Sequence, residues 1–519
     1  MYQNRRRFVK SLVAGGLLGV SAGRIAAGAP GEQRILRGAR SGGRLNVLLL
    51  LTDDHGAHLE CLGTRGIHTP HTTRLAGEGV LFRNAFSTCA SCSPARSGIL
   101  TGMYPHSNGH WHNTRTPRLP GEDADYGPDS RYAKGEPVGV HEDIPTLVEL
   151  LNGAGYVTGI TQKFHLSPVW KYPFSRRFGA GSDPKSHARA ARDFFGGCGE
   201  KPFFLMANIG NTHRPFRQHI VDIDGPPVSP EAIEVPPNMP DTGLMRKDLA
   251  EYLAAVQCAD ACAGAVLSEL RKSGRYERTL IIFTGDQGYC YHRAKATAYD
   301  AGIRVPMIIS GPGVEKGIES GDLVSHVDLM PTILDRVGID VPQLVQGTSL
   351  RPILENRADR SWRRWVFAEH NAHGPNPFAY YPIRSVFDGR LHYLRNLMPE
   401  RCWEGRPESL LTAKQLPAEI GFAGPADAFP GKKWDNHSYE AAVRARDEYP
   451  VQYGLLNKTF KRPAEELYDL HQDPHEIWNL ADDARYSGHL ERLRGALDQW
   501  MRVTKDPGLK VRDVPRREG

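Results

Sequence analysis

The sequence predicts an α/β fold: a large mixed, mostly parallel sheet flanked by helices, followed by a smaller α+β C-terminal domain with an antiparallel sheet. Three observations predict it. Near-continuous apolar runs stop abruptly at acidic or small residues, as strands buried on both faces of a parallel sheet do. Helical stretches alternate with these runs, which is the pattern of an open α/β sheet. After about Trp365 the texture changes to short alternating stretches. At 519 residues the chain is too long for one ordinary domain. The expected division is 1–29 leader, 30–43 linker, 44–365 catalytic domain and 366–519 C-terminal subdomain.

The chain opens with Asn4-Arg5-Arg6-Arg7-Phe8-Val9-Lys10, then an apolar stretch over 11–23, then Ala27-Gly28-Ala29. A charged region, a short hydrophobic region and a small-residue cleavage site make a signal peptide. Its arginine pattern resembles a bacterial twin-arginine export signal, which implies the twin-arginine translocase as a partner and a periplasmic or secreted destination. About 13 apolar residues rich in Gly cannot cross a roughly 30 Å hydrocarbon core, so a membrane anchor is not expected. No other stretch reads as a transmembrane helix.

The first strand spans 45–51 and ends in Thr52-Asp53-Asp54-His55-Gly56. A helix follows at 144–154. The strand at 201–207 precedes a long helix at 246–273. The strand at 279–284 ends in Gly285-Asp286-Gln287-Gly288, and a further strand, 305–310, leads to a helix at 328–337. Ligand sites in such sheets lie beyond the carboxyl ends of strands, where these acidic residues fall. In the C-terminal part, 383–387 and 391–396 read as antiparallel strands, 416–433 as a Pro/Gly-rich loop and 487–503 as an amphipathic helix.

The net charge of +6 is more than accounted for by the Arg-rich first 44 residues. The rest of the chain is therefore slightly acidic, and no Lys/Arg run suggests nucleic acid. Eight cysteines are present. An even count in an exported protein permits disulfides, but a chain this long does not need them. Cys258 and Cys262 share a helix face and fit two packed thiols equally well. Cys89 and Cys92 form a lone C-x-x-C with no second pair and no thioredoxin-like surroundings.

Adjacent carboxylates just past a strand repel one another, and a hard cation is the usual remedy. Asp53 and Asp54, with Asp286 and the amide oxygen of Gln287 past a second strand, would form an oxygen shell that favours Ca²⁺ over Mg²⁺. The segment Cys92-Ser93-Pro94-Ala95-Arg96-Ser97-Gly98-Ile99-Leu100-Thr101-Gly102, extended through Tyr104-Pro105-His106, resembles the C-x-P-x-R signature of the sulfatases. The resemblance continues along nearly the whole mature chain. It takes in Gly155–Gly159 leading to Gln162-Lys163-Phe164-His165, Asn211-Thr212-His213, Lys295 before Tyr299–Pro306, and Leu467–Ala481. Two departures are Gln287, where Asn or His is usual, and Gln162, where Gly is. Stretches at 169–174, 380–386 and 500–507 are most similar to the sulfamidases (N-sulfoglucosamine sulfohydrolases).

That resemblance implies an alkaline-phosphatase-like fold, one Ca²⁺ ion held by Asp53, Asp54, Asp286, Gln287 and the oxidised Cys92, and formylglycine made from Cys92 by a formylglycine-generating enzyme. It also implies roles. Arg96 holds the aldehyde hydrate, and Lys163 and Lys295 contact sulfate oxygens. One hydrate hydroxyl attacks sulfur, His213 or Lys295 protonates the leaving group, and His165 deprotonates the second hydroxyl. His370 and His373, before the Y-P-x-R-S-V segment, are candidates for substrate binding. The expected substrate is a sulfated saccharide, N-sulfoglucosamine of heparan- or heparin-type glycans first. Alternatives are an O-sulfatase on another glycan, a phosphonate or phosphodiester hydrolase of the same superfamily, and a non-catalytic sulfated-glycan-binding protein with Cys92 unconverted. A homodimer is left open.

Overall fold

The computed structural model describes residues 44–114, 138–357, 362–373, 380–400 and 437–508. The expected leader and linker, Cys402 and the loop at 416–433 lie outside them. Two sheets organise the described residues. The larger has eight strands in the order β4-β3-β5-β1-β6-β7-β2-β8. These are β1 Asn46–Thr52, β2 Gly79–Phe86, β3 Val157–Thr161, β4 Arg176–Phe178, β5 Phe203–Ile209, β6 Thr279–Gly285, β7 Met307–Ser310 and β8 Ile318–Ser325. The smaller sheet is antiparallel throughout, in the order β12-β11-β10-β9. Its strands are β9 Val366–His370, β10 Ile383–Phe387, β11 Leu391–Asn396 and β12 Glu465–Asp469.

β7 is antiparallel to both its neighbours, and every other pairing in the large sheet is parallel. The apolar run at 305–310 is buried as expected. Its direction was not readable, because an apolar run reports burial on two faces and says nothing of polarity.

Each face of the large sheet has its own core. Leu48 and Leu50 point to one, and Val47, Leu49 and Leu51 to the other, as the two-residue period of a strand requires. The first core is closed by the helix Gly243–Lys272, which buries Val256, Ala259, Ala263, Val266 and Leu270 against the sheet. This helix is long and apolar enough to cross a membrane by composition, contrary to the expectation from sequence, but 78% of its most apolar window is buried inside the protein. It is core. The second core takes Ile99 and Leu100 of the helix Cys92–Thr101, with Leu147, Val148 and Leu151 of the helix Leu147–Gly153 and Ile333 and Leu334 of the helix Leu329–Val337.

Register decides where the chemistry lands. Thr52 pairs with Ile209 of β5 on one side and with Gly285 of β6 on the other. The three central strands therefore end level, and Asp53-Asp54, Asp286-Gln287 and Asn211-Thr212-His213 leave the sheet at one edge. Thr161 of β3 pairs with Ala207, which brings Gln162-Lys163 to the same edge. The small sheet docks there through a bridge between Cys89 and Glu369, with the Glu369 N–H donating to Thr88 O at 2.9 Å.

Candidate active site

Cys92 is the first residue of the helix Cys92–Thr101, every residue of which is buried. Ser91 precedes it in an extended conformation but makes no side-chain cap. The cap comes from elsewhere: Asn113 Oδ1 accepts from Ser93 N–H at 2.9 Å. Pro94 sits in the first turn, where a missing N–H costs nothing. Gly102, at φ 65°, closes the helix in the left-handed conformation. The start of this helix faces the level strand ends.

Cys92 Sγ lies 3.5 Å from Asp53 Oδ1, 3.8 Å from Asp54 Oδ1 and 3.1 Å from Gln287 Nε2. Arg96, one helical turn on, is wholly buried; its Nε donates to Asp286 Oδ2 at 3.0 Å and its Nη1 to Asn208 Oδ1 at 2.8 Å. Asp286 Oδ1 accepts the N–H groups of Asp54 at 3.0 Å and Gln287 at 2.9 Å. Lys163 Nζ reaches Asp53 Oδ2 and Lys295 Nζ reaches Asp54 Oδ2, both at 2.6 Å. Three carboxylates thus face three cations.

Burial works to raise the Asp53 carboxyl, yet Lys163, His213, Arg96 and Lys295 together hold it well below the usual carboxylate range. Burial, with Asp53 beside it, pushes Asp286 up to about 7. Burial likewise opposes both ammonium groups, but Asp53 beside Lys163 and Asp54 beside Lys295 raise them. The Cys92 thiol is lifted by burial to about 12, despite both lysines. A thiol so held carries almost no thiolate at neutral pH and is a poor nucleophile.

Two histidines flank the cluster. His213 Nδ1 is bonded to Arg214 O, which fixes the proton there and leaves Nε2 as the acceptor, 3.5 Å from Lys295 Nζ. Its side chain is 39% exposed, so it stands at the open side of the site. His165 Nε2 donates to Thr114 O at 2.7 Å, and its buried Nδ1 has no partner. Burial lowers the pKa of both rings, His165 the more, with Lys163 adding to the first and Lys295 to the second.

The donor set fits a hard divalent cation. Asp53, Asp54 and Cys92 bring ligand atoms within 4.8 Å of one another. Gln287 Oε1 is buried with no partner, while Nε2 of the same carboxamide points at Asp54 Oδ1 and Cys92 Sγ. A half-turn of the amide puts the orphaned oxygen beside Asp54 and Cys92, next to the Asp53 carboxylate, and oxygen donors suit a hard divalent cation. A Gln serves here in place of a shorter Asn because its carboxamide already reaches the cluster.

The structure brings together Asp53, Asp54, Cys92, Arg96, Lys163, His213, Asp286, Gln287 and Lys295 through direct contacts, with His165 beside them. The other two expected residues sit differently. His373 bonds Ser91 Oγ at 2.7 Å and approaches Asn113 Nδ2 at 3.3 Å. His370 is 1% exposed and lies 3.8 Å from Cys89 Sγ, a layer behind the pocket. Asn208, Asn113 and Ser91 were not anticipated. Asn208 left a signal, a buried amide inside the apolar run of β5; Asn113 left none, because only the fold brings it to the helix start. Cys61, Cys89, Cys92, Cys198, Cys258 and Cys262 are free thiols.

A family model described as Sulfatase matches residues 45–339. One described as N-sulphoglucosamine sulphohydrolase, C-terminal, matches residues 285–404. The N-sulphoglucosamine sulphohydrolase of Homo sapiens is 30% identical over 516 residues, covering 90% of this chain and 92% of that protein. An ulvan-active sulfatase of Formosa agariphila is 28% identical over 509 residues, covering 89% of this chain and 76% of that protein. Among solved structures, a phosphonate monoester hydrolase from Silicibacter pomeroyi superposes with a TM-score of 0.62 at 19% identity, over 90% of this chain and 97% of that one. This last is a likeness of fold.

Proposed function

The chain belongs to the sulfatase family and is a sulfuric ester hydrolase, and from that premise we propose that it hydrolyses the sulfamate of N-sulfoglucosamine in heparan- or heparin-type glycans. The observation that carries the reading is the pairing of a buried, protonated Cys92 thiol with a converging shell of carboxylates and cations. Such a thiol does little as it stands. Converted to formylglycine, whose hydrate supplies a nucleophilic hydroxyl and a second hydroxyl for release, the same position becomes reactive. Asp53, Asp54, Asp286 and Gln287 would hold a divalent cation, Ca²⁺ by its oxygen donors, which would polarise a sulfate oxygen and the hydrate.

The chain's own residues do the rest. Arg96, fixed by Asp286 and Asn208, has a buried Nη2 with no hydrogen-bond partner, directed at the Asp53 side of the site. Lys163 and Lys295 bring fixed positive charge to the anionic sulfuryl group. His165 Nδ1, buried and unpartnered, is the base for a proton from the hydrate. At the open side His213 Nε2 and Lys295 Nζ, 3.5 Å apart, share the proton delivered to the departing amine. A neutral His213 beside a protonated Lys295 makes the lysine the proton source and the histidine its relay. The dense cationic side matches a monoanionic sulfamate, and the C-terminal family match favours the N-sulfated sugar. The expected domain division and export of the folded enzyme to the periplasm or medium belong to this reading.

A sulfate ester is the second reading, favoured by the similarity to the ulvan-active sulfatase. Sulfate release from N-sulfoglucosamine and from glucosamine 6-sulfate, by protein co-produced with a formylglycine-generating enzyme, separates the two. Preference for the first compound by tenfold or more in kcat/KM is expected. Equal or reversed preference removes the sulfamate assignment and leaves the hydrolase.

A further inference from the structure

Gln287 and Lys295 ride on one loop, residues 286–299, between β6 and the turn Asp300–Ile303. The loop holds two non-glycine residues in the left-handed region, Arg293 at φ 57° and Ala296 at φ 63°. L residues adopt that conformation when their surroundings impose it. The loop's own hydrogen bonds are local, Ala294 N–H to Tyr291 O at 3.2 Å and Lys295 N–H to Tyr289 O at 3.3 Å. The constraint therefore comes from outside. Ala296 N–H donates to Ala90 O at 2.8 Å, two residues before Cys92. Arg293 reaches the other way, into the C-terminal sheet.

Arg293 is 2% exposed, and its guanidinium lies 3.8 Å over the ring of Tyr299. Its Nη2 donates to Glu476 O at 2.5 Å and to Tyr468 Oη at 3.4 Å. Glu466, on β12 and wholly buried, accepts from the hydroxyls of Tyr299 at 2.8 Å and Tyr468 at 2.6 Å, and from Asn396 Nδ2 at 2.8 Å. Glu476 adds a second tie, accepting from Asp300 N–H at 2.8 Å while bonded to His392 Nδ1 at 2.6 Å. A buried cation, two phenols and a buried carboxylate thus form one stack. Each charge is tolerable there only because of the other. Two residues beyond Arg293, Lys295 meets Asp54 Oδ2 at 2.6 Å.

We propose that Arg293 and Glu466 are positioning residues: through the stack with Tyr299 and Tyr468, the C-terminal sheet sets where Lys295 and Gln287 stand in the active site. The kinetic part of this inference rests on the sulfatase reading; the structural part does not. It gives the C-terminal sheet a share in catalysis through residues that are all buried.

Glu466→Gln and Arg293→Met in the full chain test it, together with Tyr299→Phe, which removes one hydroxyl only. Two quantities are read: steady-state kinetics on the substrate the unaltered protein turns over, and amide hydrogen exchange by peptide. For Glu466→Gln, kcat is expected to fall about 10- to 100-fold with KM within about threefold, the cost of misplacing a catalytic group by a fraction of an ångström to one ångström. Exchange should quicken over 288–299 while β1 and the helix Cys92–Thr101 keep their protection. Tyr299→Phe should give the same pattern in smaller measure, and it decides the matter if Arg293→Met does not fold. Unchanged kcat in the variants that fold overturns the proposal, as does normal exchange over 288–299, or protection lost evenly across both sheets. If the unaltered protein releases no sulfate from any compound, the functional reading has failed, and exchange alone decides this one.

Discussion

Burial lifts the Cys92 thiol to about 12, so the unconverted side chain is close to inert at neutral pH. Cys92→Ala should therefore abolish sulfate release in a protein that melts within a degree or two of the converted enzyme, as read by scanning fluorimetry beside the assay. The histidines carry a pH prediction. Both rings have pKa values below the ordinary histidine value, so both are neutral bases at pH 7 and become protonated only as pH falls through the lowered values. A bound cation acts in the same direction. The acid limb of kcat/KM should accordingly lie below pH 6.5, and His165→Ala should remove that limb rather than shift it. Retention of the limb in both His165→Ala and His213→Ala contradicts the assignment. Gln287→Leu, which deletes the orphaned Oε1, should weaken Ca²⁺ binding about 10- to 100-fold, measured as loss of Ca²⁺-dependent thermal stabilisation. Asp53, Asp54, Asp286 and Gln287 were legible in the sequence because they stood at strand ends, and Cys92, Arg96, Lys163, His165, His213 and Lys295 because they fell in stretches resembling the sulfatases. Asn113 was not, since a capping amide brought in from a separate loop leaves no local pattern, and neither was Ser91, whose partner His373 lies far along the chain.

At the scale of the element, the helix Cys92–Thr101 is short, fully buried and capped by residues from outside it. Its end depends on Gly102, at φ 65° with room lacking for a side chain: an added Cβ would meet Val345 Cγ1 at 2.8 Å. Gly102→Ala should cost about 1–2 kcal/mol, the left-handed penalty for a residue with a Cβ, plus displacement of Val345. Urea denaturation of the purified variant measures it. A loss under 0.3 kcal/mol would mean the helix ends flexibly. Central strands and long helices were readable because apolar runs and the 3.6-residue period survive in one sequence. The expected helix at 246–273 and the observed Gly243–Lys272 differ by one capped turn, where Thr242 Oγ1 accepts from Met245 N–H at 3.2 Å. In the large sheet β2, β3 and the edge strands β4 and β8 escaped notice: Arg83 and Asn84 interrupt the run of β2, and β3 is five residues with Thr and Gly among them. β4 is three half-buried residues, and β8 mixes Glu, Ser, Gly and Asp into its run, so neither carries the apolar signature of a central strand.

At the scale of the molecule, two sheets make one enzyme, and a buried ion pair ties the smaller sheet to the helix that covers it. Arg384 of β10 and Asp506, just past the helix Ser487–Val503, have wholly buried side chains and bond through two contacts, Nη2 to Oδ1 at 3.0 Å and Nε to Oδ2 at 2.5 Å. Burial works to raise the Asp506 carboxyl, but Arg384 holds it below the ordinary aspartate value. Its folded pKa is depressed, so its stabilisation is fully present above the unfolded value of about 3.9 and is lost as pH falls through the folded one. Asp506→Asn should cost about 3–5 kcal/mol at pH 7, because Arg384 stays buried without its counter-charge, and should flatten the loss of stability below pH 4. Denaturant melts at pH 7 and pH 3 read both effects. Equal losses at the two pH values would contradict the pairing. The change of texture near Trp365 announced the second sheet, but not its docking on the nucleophile loop, which rests on long-range contacts such as Glu369 N–H to Thr88 O.

The central claim is that Cys92 acts as formylglycine within this cluster. Tandem mass spectrometry of the tryptic peptide containing Cys92, on protein made in a conversion-competent host and assayed in parallel, tests it most directly. The aldehyde is expected in place of the thiol, with sulfate release proportional to the converted fraction across preparations. An intact thiol in a preparation that releases sulfate at full rate would contradict it.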